Sequence, residues 1–144
     1  MPHDTRTRMA GTSDSRAIGE MDSRVASDMH RREMIDAAIS ARRCWVAERS
    51  GRVVGYGVLT RNFFARDFVE LLFVTEDARR RGVGSAVLAG IERSVHADQL
   101  FTSTNQSNAA MRALLVTRGY AESGRIENLD PGDPELVFVK FLRG

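Results

Sequence analysis

The sequence predicts a single α/β domain built around a mixed β-sheet. A chain of 144 residues is long enough to bury one core. Apolar runs bounded by turn residues predict a strand at 68–74, a helix at 83–95 and a strand at 100–104, and such a unit implies two parallel strands. A hairpin before this unit and two strands after it add antiparallel neighbours, which makes the sheet mixed.

The N-terminal part carries the weakest signals for regular structure. Residues 1–25 are polar and almost without periodic apolar residues, so we expect a poorly ordered segment ahead of a domain at 26–144. Any first strand is short and lies around 16–18. Residues 26–43 follow a helical period and predict the first helix.

A β-hairpin is predicted next, with strands at 44–48 and 53–60 around a turn at Ser50-Gly51. Gly55 and Gly57 interrupt its second strand, which indicates either a bulge or a close approach by a ligand.

The central strand at 68–74 follows a polar and aromatic loop at 62–67. Its residues are apolar except for Glu70, as in a strand buried on both faces. The helix after it has one apolar face, and turn residues bound the elements that remain. These are the strand at 100–104, a helix at 109–118 ended by Gly119, and strands at 120–129 and 135–141.

The corner between the central strand and the next helix reads Arg79-Arg80-Arg81-Gly82-Val83-Gly84. A helix start presents unpaired N–H groups and the positive end of the helix dipole, and is therefore an anion site. Glycines let phosphates approach the backbone, and the arginines add positive charge. We interpret the corner as a pyrophosphate cradle, although its spacing matches neither a dinucleotide fingerprint nor a Walker loop.

The spacing Arg79-x-x-Gly82-x-Gly84 after a strand resembles the coenzyme A loop of the GNAT family of N-acetyltransferases, [R/Q]-x-x-G-x-[G/A]. The order of predicted elements over about residues 26–141 also looks like the GNAT fold, an acyl-CoA N-acyltransferase fold with a central splayed pair of parallel strands. In that fold the splay exposes main-chain groups to the pantetheine arm of the cofactor.

The resemblance implies that acetyl-CoA is the co-substrate. It implies that main-chain groups hold the cofactor along two segments, namely Leu72, Phe73 and Val74 for pantetheine, and Arg79, Arg80, Arg81, Gly82, Val83, Gly84 and Ser85 for pyrophosphate.

Residues 108–120 are similar to the GNAT pattern N-x-x-A-x-x-L-Y-x-K-x-G-F. The match implies that Asn108 bonds the cofactor arm, while a helix N-cap is the alternative role. Leu115 stands where many members carry a tyrosine that protonates the leaving thiolate, so the general acid is left open.

Two catalytic roles follow from the same resemblance. Many members place a glutamate on the central strand as general base, which implies this role for Glu70, often through water. A backbone N–H at the end of the strand, that of Val74, would polarise the thioester carbonyl. An outward-facing or salt-bridged strand residue is the alternative for Glu70.

Other candidates have a structural reading beside the functional one. Tyr56, Phe63 and Phe64 line an acceptor pocket or pack as ordinary core and loop residues. The acidic connection at 130–135 attracts a cationic amine or is a solvated turn. Cys44 is interpreted as a buried thiol rather than a nucleophile. The three histidines have no metal-ligand spacing, so we expect no metal.

Composition narrows the function further. The net charge is only +2, with 19 acidic residues among the charges, which argues against a nucleic-acid binder. No apolar run approaches a membrane span, and no secretory signal is visible. One cysteine excludes an intrachain disulfide and fits a reducing cytoplasm.

The sequence thus predicts a cytoplasmic acetyl-CoA-dependent N-acetyltransferase, a monomer or homodimer, that acetylates a primary amine of a small molecule or protein by direct attack. A catalytically silent acyl-CoA-binding module is the alternative, favoured by Leu115.

Overall fold

The computed structural model describes residues 4–143 and has a mixed α/β fold. The strands are β1 Arg6–Met9, β2 Cys44–Arg49, β3 Arg52–Phe63, β4 Arg66–Val74, β5 Gln99–Asn105, β6 Ala121–Ile126 and β7 Glu135–Phe141. The helices are α1 Asp14–Met21, α2 Ser23–Ser27, α3 Met29–Ser40, α4 Val83–Ser94 and α5 Ala109–Thr117, with a 3-10 turn at Glu76–Ala78.

The strands hydrogen-bond in the order β1-β2-β3-β4-β5-β7-β6. Phe68 pairs with Phe101 and Val69 with Thr102 in parallel, which confirms the predicted parallel pair in a mixed sheet. Within the described part the chain forms two compact units, of which the first comprises residues 4–59 and 71–94 and the second residues 60–70 and 95–143. None of the helices in residues 4–143 is long and apolar enough to cross a membrane.

The N-terminal part of the first unit differs from the sequence prediction. Residues 4–25, expected to be poorly ordered, form β1, α1 and the start of α2, and 16–18 lie in α1 rather than in a strand. The strand β1 pairs antiparallel with β2 through its main chain, and Ile18 is fully buried. Main-chain groups form this pairing whatever the side chains are, so the polar composition of the segment gave no sign of it. Residues 1–3 lie outside the described part.

The helix predicted at 26–43 is also divided. The helix α2 ends at Ser27, and Asp28 is extended, with φ −133° and ψ 98°. Its carboxylate accepts the N–H of Arg31 at 3.1 Å and so caps α3. The helical period continues across this break, which is why periodicity alone did not reveal it.

The core of the first unit lies between the strands and α1–α3. The buried residues of this core include Ala10, Ile18, Val25, Ile35, Ala38, Ile39, Cys44, Val46, Tyr56 and Val58. The helix α4 packs on strands of the opposite face. A Cβ at Gly90 of α4 would lie 2.9 Å from Thr7 Cγ2 in β1 and 3.5 Å from Trp45 Cδ1 in β2.

Gly55 and Gly57 allow α4 to approach β3 closely. A Cβ at Gly55 would lie 2.8 Å from Val83 Cγ1, and one at Gly57 would lie 2.7 Å from Val87 Cγ1. The partner that comes close to these glycines is therefore a helix rather than a ligand. The predicted bulge is present in β3, where Val54 is the extra residue between Gly55, the partner of Ala47, and Val53, the partner of Glu48.

Gly57→Ala is expected to destabilise the protein by about 1–3 kcal/mol, the range for overpacking a well-packed interior. The added methyl would also lie 3.0 Å from Ile91 Cδ1, so α4 would have to shift. The measurement is urea unfolding of Gly57→Ala beside Gly11→Ala, where the nearest atom to the new methyl is 4.0 Å away. Equal stability of the two variants would contradict this account of β3 and α4.

The loop predicted at 62–67 shortens to a two-residue turn, Phe64-Ala65, since β3 extends to Phe63 and β4 begins at Arg66. Both turn residues have positive φ, 53° and 59°. This is the backbone of a type I′ hairpin turn. Such turns usually carry Asn-Gly, so the residues Phe64-Ala65 did not predict one.

In the second unit, β7 lies between β5 and β6 and pairs antiparallel with both. The helix α5 buries Leu115 completely. Gly119 ends it with φ 93°, which confirms the predicted C-terminal glycine. The strand β6 is shorter than predicted, and each of its residues is exposed.

Candidate functional site

The end of β4 directs part of its main chain away from β3. The N–H of Thr75 donates to the Val54 carbonyl at 2.9 Å. In an antiparallel ladder, alternate residues direct their N–H and C=O groups to the same neighbour. Leu72 and Val74 therefore direct theirs to the other edge of β4, where an extended ligand can pair with them. The Phe73 carbonyl faces β3 instead, 3.1 Å from where a Gly55 Cβ would lie.

The side chains at the end of β4 are only half-buried. Val69 is buried, but Glu70 to Val74 are intermediate in exposure. The prediction of a strand buried on both faces is therefore wrong for this half of β4. An apolar strand end that its own protein covers incompletely offers surface that a ligand can cover.

The arginine-rich corner follows the 3-10 turn Glu76–Ala78. Arg79 Nε donates to the Val74 carbonyl at 3.3 Å, which folds the corner back over the strand end. Arg80 and Gly82 have positive φ, 66° and 79°. Glycine adopts this backbone without strain, and a Cβ at Gly82 would meet nothing within 4 Å, so its outer side is open.

The N-terminus of α4 follows directly after Gly82. The N–H of Ala86 makes the first bond of the helix, to the Gly82 carbonyl at 3.0 Å. The N–H groups of Val83, Gly84 and Ser85 precede that bond and are the donors that a helix start offers to an anion. Val83 is buried against Gly55, which fixes where these donors lie.

Glu70 lies in the second unit and is half-buried. Its Oε1 accepts a hydrogen bond from the Thr60 hydroxyl at 3.0 Å. The partner in this bond is a neutral hydroxyl. Such a carboxylate can accept a proton.

Asn108 and Leu115 lie on α5. Asn108 Oδ1 accepts the N–H of Met111 at 3.1 Å, so the side chain is the N-cap of the helix. Only its amide N–H₂ group could then contact a cofactor. Leu115 has no exposed surface and packs as a core residue.

Tyr56 does not line a pocket. It is fully buried, and its hydroxyl donates to Asp22 Oδ2 at 2.7 Å, with Arg31 Nη2 3.3 Å from the same hydroxyl. Burial raises the pKa of Tyr56. Although burial disfavours its charged form, bonds from Tyr56 and Arg31 hold the pKa of Asp22 below its ordinary value. Asp22 also caps α2, and an aspartate before a helical segment was the sequence signal that could have revealed it.

Phe63 and Phe64 keep both readings open. Phe63 is half-buried and stacks on Phe68 with centroids 5.0 Å apart, and it also contacts Phe101 at 5.2 Å. Phe64 at the turn is 83% exposed and meets Phe63 edge-on at 5.0 Å.

The acidic connection at 130–135 has an internal role. Asp133 accepts the Ser107 hydroxyl at 2.6 Å and the Ser107 N–H at 3.0 Å. Asp130 accepts the Asn105 side chain at 2.9 Å, and Glu135 accepts the Ser103 hydroxyl at 2.7 Å. Residues 130–132 are nevertheless exposed, so the connection is a solvated turn that internal hydrogen bonds also hold in place.

Cys44 is completely buried, as expected for a structural thiol. Burial raises its pKa to about 12, so the reactive thiolate is absent at neutral pH. In residues 4–143 no three His, Cys, Asp or Glu side chains are grouped to hold a metal ion.

Comparisons with known proteins agree on one family. A family model described as "Acetyltransferase (GNAT) family" matches residues 15–120. A solved GNAT acetyltransferase from Bacillus cereus is 31% identical with a TM-score of 0.89, covering 96% of this chain and 97% of its own. A search of curated proteins finds no significant match.

Two further solved structures share the fold at lower identity. The ribosomal-protein-S18-alanine N-acetyltransferase of Escherichia coli is 16% identical with a TM-score of 0.77, covering 98% of this chain and 96% of its own. The diaminobutyrate acetyltransferase of Paenibacillus lautus, in complex with its substrate and coenzyme A, is 19% identical with a TM-score of 0.76, covering 99% and 98%.

Proposed function

This chain belongs to the GNAT acetyltransferase family, and we propose that it transfers the acetyl group of acetyl-CoA to a primary amine by direct attack of the amine on the thioester. It is therefore an acyltransferase with acetyl-CoA as co-substrate. The observation that carries the proposal is the corner at residues 79–85, where helix N–H groups, an open glycine and three arginines lie beside the outward main chain of β4.

The residues present fit this co-substrate. The N–H groups of Val83, Gly84 and Ser85 would bind the pyrophosphate, together with the main chain of residues 79–82. The open side of Gly82 leaves room for it. The main chain of Leu72 would pair with the pantetheine arm. Val74 would contact its thioester end through the N–H alone, because Arg79 bonds the Val74 carbonyl. Asn108 would add a contact through its amide N–H₂ group. The Phe73 main chain would make no such contact, because its carbonyl faces β3.

Two groups on β4 would act on the reaction. The Val74 N–H would donate to the thioester carbonyl oxygen, on which negative charge develops as the amine attacks. Glu70, acting through water, would take the proton that the amine must lose, since a half-buried carboxylate on the same strand is a suitable general base. Acetyl-CoA supplies an activated acetyl group and a thiolate that can leave.

The acceptor is a primary amine of a small molecule or protein. The E. coli relative is named for an alanine of a ribosomal protein, and the P. lautus relative for diaminobutyrate, so this fold serves both kinds of amine. The single buried thiol, Cys44, suits the reducing cytoplasm, where we place the protein.

The test is an acetyl-CoA consumption assay with a panel of small amines and peptides, beside calorimetry of acetyl-CoA binding. Turnover with at least one amine supports the proposal. Tight binding without turnover across the panel would favour the silent acyl-CoA-binding module, and an absence of binding would remove both.

Leu115→Tyr is expected to raise the rate at most modestly, although tyrosine is the residue that many members carry there. A free thiol has a pKa of about 8.5, so a thiolate is a tolerable leaving group with water as the proton donor. Leu115 is fully buried, and the larger ring would overpack the site and lower stability by about 1–3 kcal/mol. Turnover and melting are measured together. A rise of several orders of magnitude would show that the natural protein lacks its acid.

A further inference from the structure

A cationic cleft lies in the first unit beside the cradle and shares Arg81 with it. It has a volume of about 440 Å³ and lies between the turn that joins β2 to β3 and the connection from β4 to α4. Val54 and Ala78, both buried, form an apolar floor. Arg49, Arg52 and Arg81 contribute positive charge to its lining.

The lining carries one carboxylate, that of Asp77, against the three arginines. Arg52 Nη2 bonds Asp77 Oδ2 at 2.7 Å, and each side chain is 66% exposed. The hydrogen bond from Arg52 holds the pKa of Asp77 below its ordinary value, so this carboxylate stays charged at neutral pH. An exposed pair of this kind contributes little to stability, so a ligand can compete with it.

We propose that this cleft binds the phosphate of a nucleotide-sized anion, with Arg49 and Arg52 as its main contacts. The volume falls in the range of small-molecule sites, roughly 300–1,000 Å³, and exceeds what a lone inorganic anion needs. Arginine forks match phosphate oxygens, and the apolar floor suits a flat organic body. The phosphate belongs to a free nucleotide that binds in addition to acetyl-CoA.

The cleft is linked to the cradle through one short connection. Asp77 and Arg81 line the cleft, while residues 79–85 form the cradle. An anion that displaces Asp77 from Arg52 would alter the connection that holds the cradle. By linkage, a nucleotide bound in the cleft would then change the affinity for acetyl-CoA by some factor, and bound acetyl-CoA would change the affinity for the nucleotide by the same factor. This coupling rests on the proposed function, whereas the binding itself does not.

The experiment measures binding of AMP to the full chain by calorimetry, with and without saturating acetyl-CoA. Arg52→Gln is expected to weaken AMP binding by about 10- to 100-fold, the range for losing a charge-assisted hydrogen bond. Asp77→Asn should strengthen it, because it removes the competing carboxylate and raises the positive charge of the lining. Arg93→Gln, an exposed arginine in the last turn of α4, is the matched control and should change nothing.

A second arm identifies the source of the phosphate by comparing acetyl-CoA with its 3′-dephospho analogue. If AMP competes with acetyl-CoA, and loss of the 3′-phosphate weakens binding in the wild type but not in Arg52→Gln, the cleft is part of the cofactor site and the proposal is overturned. If AMP binds beside acetyl-CoA, the ligand is a separate nucleotide.

The proposal is also overturned if AMP does not bind, if Arg49→Gln and Arg52→Gln both leave its affinity unchanged, or if Asp77→Asn weakens AMP binding. Melting curves establish that each variant is folded. If the protein acetylates amines but the cleft variants do not change AMP binding, the proposed function stands and the cleft proposal fails. If AMP binds in the cleft but no amine is acetylated, the cleft proposal stands and the proposed function fails.

Discussion

Gly84→Glu is expected to abolish acetyl-CoA binding and leave the protein folded. Gly84 is the second residue of α4, and its N–H lies among the three that precede the first bond of the helix. A glutamate there places bulk and negative charge where the pyrophosphate would lie. A carboxylate in the first turn suits the helix dipole, so the fold should tolerate the change. Calorimetry with acetyl-CoA, beside thermal melting, is the measurement.

Gly84→Ala is the matched control for that variant. Alanine favours helix formation over glycine, and the GNAT loop pattern accepts it at this position, so binding should persist. Arg79→Ala should give an intermediate loss of about 1–3 kcal/mol, the range for a charge-assisted hydrogen bond. Its Nε also holds the Val74 carbonyl at 3.3 Å, so part of that loss would come from a looser corner. Wild-type affinity in Gly84→Glu would remove the cradle from residues 79–85.

Glu70→Gln is expected to lower kcat by about 10²–10⁴, the range for a general base, with acetyl-CoA affinity nearly unchanged. The amide keeps the size of the side chain and can still accept the Thr60 hydroxyl, which bonds Glu70 at 3.0 Å. It cannot take a proton from the amine. Steady-state kinetics with the best amine of the panel and calorimetry with acetyl-CoA together separate turnover from binding.

Glu122→Gln, an exposed residue of β6 in the same unit, controls for the loss of one negative charge and should keep normal turnover. Thr60→Val removes the hydroxyl partner and keeps the carboxylate, so its rate should stay much closer to wild type than that of Glu70→Gln. A folded Glu70→Gln with near-normal kcat would assign the base to another residue or to bulk water.

Local sequence determined the parts of this protein that depend on neighbours in the chain. The strand, glycine corner and helix around residues 79–85 are consecutive, so their spacing alone predicted an anion cradle and the GNAT resemblance. Gly119 ended α5 as expected, because helix termination is set by one or two adjacent residues. The parallel pair β4 and β5 followed from the helix predicted between the two strands.

Tertiary structure decided what depends on residues far apart in the chain. Positions 55 and 57 need glycine because α4, which follows some thirty positions later in the sequence, packs against them. Tyr56 is a core residue because it meets Asp22 and Arg31, which the sequence pattern left in separate segments. Residues 4–25 are structured because β1 pairs with β2 through main-chain groups that carry no residue signature. The cleft with Arg49, Arg52 and Arg81 exists only where a hairpin turn meets a later connection. The physical reason is the same in each case, since contact and burial depend on distance in space, which periodicity and spacing along the chain do not encode.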